Sequence, residues 1–195
     1  MQACACDRIR KAAIELFTEK GYAACSTREI CERAGVTKPV LYYHFHSKEQ
    51  LHRELIGGAC EAMLGELAVA AQRGGTAKER LINVLAADFA LTRREPDLAT
   101  LHFRTIFTAR REGSSVDFVK IGIDWVNLLA RVVREGIRKG ELSGSPREIA
   151  AAILGIHMIY TMSYLLQGKP RLDRRLARRI MDLVWRGCER NHRNR

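Results

Sequence analysis

Lys38, Val40, Tyr42, His44 and Lys48 crowd into one short stretch that carries ammonium, phenol and imidazole groups. Ammonium groups pair with phosphate, while phenol and imidazole reach phosphates or base edges by hydrogen bonding. Tyr42, Tyr43 and His44 are consecutive, so on a helix they cannot all point inward. Leu41 and Phe45, four apart, share the inner face instead. Tyr42 and His44 then project with Lys38 and Val40, a surface suited to a nucleic acid.

Two helices must hold that surface. Ser26 with Glu29 is a capping box, in which hydroxyl and carboxylate each take the other residue's amide. It starts a short helix with Ile30 and Ala34 inward. Gly35 ends the helix, where positive φ is cheap only for glycine. Val36 plugs the turn. Thr37 is expected to cap a second helix, 38–44, with Pro39 in its first turn, where a missing amide does no harm. Ser47 with Gln50 is read as another capping box, setting Lys48 at a helix start that already attracts phosphate. Two short helices with a glycine between them make a helix-turn-helix, whose second helix enters the major groove.

The set Ala13, Leu16, Phe17, Gly21, Tyr22, Ser26, Thr27, Ile30, Ala34-Gly35-Val36, Leu41-Tyr42-Tyr43-His44-Phe45 and Ser47-Lys48 resembles the tetracycline-repressor (TetR) family of bacterial transcription regulators. The likeness covers roughly the first quarter of the chain. It implies that Thr27, Arg28, Lys38, Pro39, Val40, Tyr42, Tyr43, His44 and Lys48 face double-stranded operator DNA. Cys31 departs from the family's usual alanine, and His46 stands in a variable position.

At 195 residues and 47% hydrophobic, the chain can hold a small DNA-binding domain and a larger core. Only four prolines occur and β-branched residues do not alternate, so an all-α protein is expected. The division is a helix-turn-helix domain over 1–52, a helical ligand-binding and dimerisation domain over 53–190, and a basic tail over 191–195. The formal charge of +11 suits a polyanion partner. Its distribution is uneven. Residues 1–50 carry eight Lys/Arg against six Asp/Glu, whereas 169–195 carry ten against three, so charge alone does not locate the reading head. The start Met-Gln-Ala-Cys-Ala-Cys-Asp lacks the basic start and apolar run of a secretory signal. His157, Thr161 and Ser163 interrupt the longest apolar stretch, 149–166, so no membrane span is expected. A cytoplasmic location follows.

The first helix, 7–20, buries Ile9, Ala13, Leu16 and Phe17. A helix over 47–72 starts in the first domain and ends in the second, and Gly57-Gly58 could bend it. Helices from Thr76 (with a capping box at Glu79), from Pro96 and from Ser114-Ser115 follow, the last being read as the longest. On that one Val119, Ile123, Val126, Val133 and Ile137 are expected inward, and Asn127 outward. Ser145 and Glu148 form a further capping box, opening a helix to about residue 167 that is apolar nearly all round. The final helix carries Leu172, Leu176, Ile180, Leu183 and Val184 inside and Arg174, Arg175, Arg178 and Arg179 outside. Paired with the same two helices of a second chain, these last two would make a homodimer, as the resemblance also implies. A dimer presents two reading helices to half-sites about 34–36 Å apart.

Other chemistries leave little trace. There is no Gly-rich phosphate loop, nucleophile elbow or His-Glu-x-x-His, so no enzyme is expected. The six cysteines make no Cys-x-x-Cys knuckles. His44, His46 and His52 are close in sequence, but the first should face DNA, and neither a metal nor a cofactor is expected. His102, Phe103, Phe107, Trp125, His157, Tyr160 and Tyr164 fall among apolar helices and are assigned to a cavity for a small apolar or aromatic effector. The reading is a dimeric, ligand-responsive regulator, a repressor released by that effector. The alternative is a redox- or metal-responsive regulator using Cys4 and Cys6.

Overall fold

Cys4 opens the first helix of the computed structural model, which describes residues 4–112 and 116–188. Its thiol accepts the Asp7 amide, so α1 (Ala5–Lys20) begins two residues earlier than its apolar stripe suggests. Ile9, Ala13, Leu16 and Phe17 are buried as expected. Next come α2 (Thr27–Ala34), α3 (Lys38–Phe45) and α4 (Lys48–Arg53). From α4 the backbone continues through a π-helical turn (Glu54–Gly58) into α5 (Ala59–Ala70). Cβ atoms added at Gly57 or Gly58 would meet nothing within 4 Å, so these glycines do not serve close packing. Single π turns inside α-helices mark local changes of helical register. Then follow α6 (Ala77–Arg94), α7 (Pro96–Glu112), α8 (Phe118–Arg138), α9 (Pro146–Gln167) and α10 (Arg174–Cys188). Among the described residues the regular elements are all helical, and the all-α expectation holds.

Two compact units result: Met1–Glu61 with Glu95–Phe118, and Ala62–Arg94 with Val119–Arg195. The division differs from a cut after residue 52. It falls later, at Glu61, and α7 returns to the first unit, where α1 packs against it. There the Arg104 guanidinium donates to the Thr18 carbonyl at 2.5 Å. No local signal in the sequence announces such a return.

The second unit is built on one continuous apolar core. Leu81, Leu85 and Phe89 of α6 are fully buried there, each contributing about 1.5–3 kcal/mol by leaving water. Gly136 of α8 lets two neighbours in: a Cβ there would stand 2.6 Å from both the Ala77 Cβ and the Leu142 Cδ2. The inner face of α8 is Trp125, Leu128, Leu129, Val132 and Val133. Val119 and Ile123 correct the sequence reading: they are exposed, and the buried face of this helix is set instead by Trp125 and the residues that follow it. Asn127 faces outward as expected. Residues Ser114 and Ser115 lie outside the described residues, and α8 starts at Phe118. At 21 residues it is one shorter than α9.

Capping follows the sequence in part. Thr76 and Glu79 exchange both bonds of a capping box. Ser145 Oγ accepts the Glu148 amide at 3.5 Å, the only half of that box observed. Along its length α9 stays apolar, yet Ile159 and Leu166 are exposed, as is Leu183 on α10. By length and composition alone α9 could cross a membrane, with mean hydropathy 1.7 over a window that is 28% buried.

Candidate nucleic-acid interface

The reading head is assembled from its caps upward. Ser26 Oγ accepts the Glu29 amide at 3.2 Å, and Glu29 Oε2 accepts the Ser26 amide at 2.8 Å. Lys20 Nζ donates to the other Glu29 oxygen at 2.5 Å. That ammonium and the Ser26 donors together hold the Glu29 carboxyl down at about 2. Gly35 takes the left-handed conformation, φ 61°, that turns the chain between α2 and α3. The Val36 amide then donates back to the Cys31 carbonyl at 3.0 Å.

Two local expectations are corrected. The Thr37 side chain makes no cap bond; its carbonyl instead accepts the Val40 and Leu41 amides at 3.1 and 3.2 Å. Pro39 in the first turn already removes one orphan donor. Ser47 Oγ accepts the Gln50 amide, but the Gln50 side chain donates forward to Glu54 and does not close the box.

On α3, Leu41 and Phe45 are buried and Tyr42 and Tyr43 are 43% and 80% exposed, so the inner and outer faces fall as the spacing requires. Lys38 and Pro39 are exposed with them, while Val40 and His44 are half-buried. The Tyr43 and His44 rings meet edge to face at 5.2 Å. On α2, Thr27 is half-buried; Arg28 is exposed, and its guanidinium is held by Glu32 at 2.8 Å. His46 closes α3 with φ 55°, and its ring Nδ1 lies 3.2 Å from the Tyr42 carbonyl.

Lys48 does more than sit at a helix start. Its ammonium donates to the carbonyls of Tyr22 and Cys25, each at 2.9 Å, and lies 4.3 Å from the Tyr22 ring centroid. The Tyr22 ring in turn packs on His52 at 4.6 Å and Phe17 at 5.7 Å. Lys48 therefore ties the loop before α2 to the start of α4. His52 is buried in that aromatic stack.

The seven residues assigned to an effector divide between the units. Trp125 and His157 meet in the second unit, 5.5 Å between rings, with Tyr160 and Tyr164 packed on the same core. Sequence reasoning missed their neighbours Asp88 and Phe89. The available signal was a carboxylate on the apolar stripe of Leu81, Leu85 and Phe89. His102 and Phe103 lie in the first unit, 6.0 Å apart edge to face, with His102 near Cys60 and Phe118, and Phe107 there is 66% exposed.

Burial raises the Cys25, Cys31 and Cys60 thiols, Cys60 to about 12, which suits packing and not thiolate chemistry. Cys4 Sγ lies 3.0 Å from Asp7 Oδ2, and burial raises the Cys6 thiol. Among the described residues no group of three His, Cys, Asp or Glu could hold a metal ion.

A capped helix-turn-helix with an exposed second helix is the arrangement by which DNA-binding transcription regulators reach the major groove. Residues 9–55 match the family model described as "Bacterial regulatory proteins, tetR family". The fatty acid metabolism regulator protein of Bacillus subtilis is 29% identical over 140 residues, 69% of each chain. Other curated relatives align over as little as 19% of their own length. The solved PfmR regulator of Thermus thermophilus is 25% identical, with a TM-score of 0.76 over 94% of this chain and 100% of that one. The FadR regulator of Bacillus subtilis, solved in complex with stearoyl-CoA, is 23% identical, with a TM-score of 0.72 over 93% and 98%. Over its first quarter the chain thus matches the DNA-binding region of TetR-family transcription regulators, and over nearly its whole length it shares their helical fold.

Proposed function

We propose that this chain acts in the cytoplasm as a homodimeric repressor, released from its operator by a largely apolar acyl compound. The observation that carries the DNA-reading half is the exposure of Tyr42 and Tyr43 on a helix whose Leu41 and Phe45 are sealed inside. Lys38, Pro39, Val40, Tyr42, Tyr43 and His44 enter the major groove. Thr27, Arg28 and Lys48 hold the flanking phosphates.

Dimerisation is assigned to α9 and α10. Ile159, Leu166 and Leu183 are 63%, 78% and 65% exposed in a single chain, and a second copy of the same two helices would cover them. That pairing, not a bilayer, accounts for an apolar helix that one chain leaves mostly uncovered.

The effector is assigned to the second unit, among Trp125, His157, Tyr160 and Tyr164. His102, Phe103 and Phe107 are given no ligand contact. The surroundings are aromatic and aliphatic, which suits an acyl chain in chemical character. The Bacillus subtilis relative named for fatty acid metabolism, and the likeness to a regulator solved with stearoyl-CoA, favour the same class. To loosen DNA 100-fold the effector must prefer the non-binding conformation by about 2.7 kcal/mol. The test is an operator fragment recovered by selection from random DNA and titrated with the full chain. Micromolar stearoyl-CoA should release it; undiminished binding across that titration contradicts the acyl reading.

A further inference from the structure

The core of the second unit holds a buried polar pair that packing does not require. His157 Nε2 lies 2.6 Å from Asp88 Oδ2, and the two residues are 4% and 6% exposed. Phe89 stacks on the imidazole at 5.1 Å with planes 16° apart, and the Trp125 ring lies 5.5 Å away. Thr161 Oγ1 stands 3.4 Å from the same Nε2. The other ring nitrogen, Nδ1, is buried and has no hydrogen-bond partner among the described residues. A polar pair this deep is often no more stabilising than apolar side chains of the same volume, and an unmatched polar atom beside it is a further cost. Stability alone gives no reason for it.

Geometry gives one. Phe89 and Trp125 set the plane of the ring and Asp88 sets its rotation, so Nδ1 is aimed in one direction in advance. Nδ1 is therefore a buried polar atom in need of a hydrogen-bond partner, and an imidazole N–H at that position would need an acceptor. We propose that His157 is the polar anchor of the effector site, donating from Nδ1 to a carbonyl oxygen of an otherwise apolar acyl ligand, with Asp88 as its positioning residue. The proposal rests on the acyl reading above. A neutral carbonyl fits better than a free carboxylate, because a second carboxylate beside Asp88 would enter an apolar core uncompensated. Most of the surrounding side chains are aliphatic or aromatic, so a carbonyl on Nδ1 would orient the acyl part of the ligand.

The experiment compares two probes on the full chain: dodecanoyl-CoA, a thioester, and S-dodecyl-CoA, a thioether lacking only the carbonyl oxygen. The wild-type protein should bind the thioester tighter by about tenfold, as expected when a buried donor is otherwise left without its acceptor. Asp88→Asn should narrow that ratio, and His157→Phe should abolish it while operator binding persists. Equal affinity of the wild-type protein for both probes overturns the anchor and leaves the acyl reading standing. Binding of neither probe overturns both. The wild-type comparison needs no variant, so a misfolded His157→Phe protein would not shield the proposal.

Discussion

The Lys48 ammonium lies over the ring of Tyr22, 4.3 Å from its centroid, while donating to the same residue's carbonyl oxygen at 2.9 Å. A cation held in this way does two jobs, because the loop it clamps leads into α2. Lys48→Ala should lower the stability of the first unit by about 1–3 kcal/mol, the range for losing charge-assisted hydrogen bonds, read as a fall in Tm. It should also weaken binding to operator and random DNA alike and reduce the salt dependence by about one phosphate. A fall in Tm with an unchanged salt slope would leave Lys48 a clamp and nothing more.

The pH dependence follows from Glu29. Its folded pKa of about 2 lies below the usual 4.5, chiefly because Lys20 and Ser26 donate to the carboxylate. A depressed folded pKa gives stability that is fully present above the unfolded value and is lost as pH falls through the folded one. Thermal unfolding should therefore show a loss from the first unit between about pH 4.5 and pH 2. Glu29→Gln should flatten that part of the curve. An unaltered profile in the variant would show that the capping box does not carry the effect.

Much of the reading head was legible because its signals are local. Ser26 with Glu29, Gly35, and the four-residue spacing of Leu41 and Phe45 each act within one turn of backbone, and each falls where expected. The features that escaped depend on tertiary contacts. Cys4 replaces a usual cap residue, Lys48 is captured by a loop 23 to 26 residues away, and α7 packs back on α1. The faces of α8 were read from periodicity, which cannot say where along a helix burial begins. Val119 and Ile123 stand exposed. Asp88 and His157 are 69 residues apart, and only the folded core brings them together.

Assembly can be tested at Ile159, which is exposed, whereas Met158 beside it is half-buried. Ile159→Glu should shift the protein from dimer to monomer in sedimentation equilibrium, while leaving the helical circular dichroism signal intact. A wild-type chain that stays monomeric at micromolar concentration, with and without DNA, would contradict pairing through α9 and α10.

The two tryptophans report separately on the effector site. Trp125 lies 5.5 Å from His157, whereas Trp185 packs near Lys78, 5.9 Å from its ammonium. Stearoyl-CoA should change the fluorescence of Trp185→Phe, which retains Trp125, more than that of Trp125→Phe. A response confined to Trp185 would move the site away from His157.

The direct test of the reading helix is a comparison of specific and random DNA. A selected operator should contain two inverted half-sites with centres about 34–36 Å apart and take up two chains at saturation. Lys38→Ala and Tyr42→Ala should each weaken operator binding at moderate salt, by about 1–3 kcal/mol where the lost contact is to a base, and affect random DNA less. Operator affinity unchanged in both variants would contradict the assignment of α3 as the element that reads DNA.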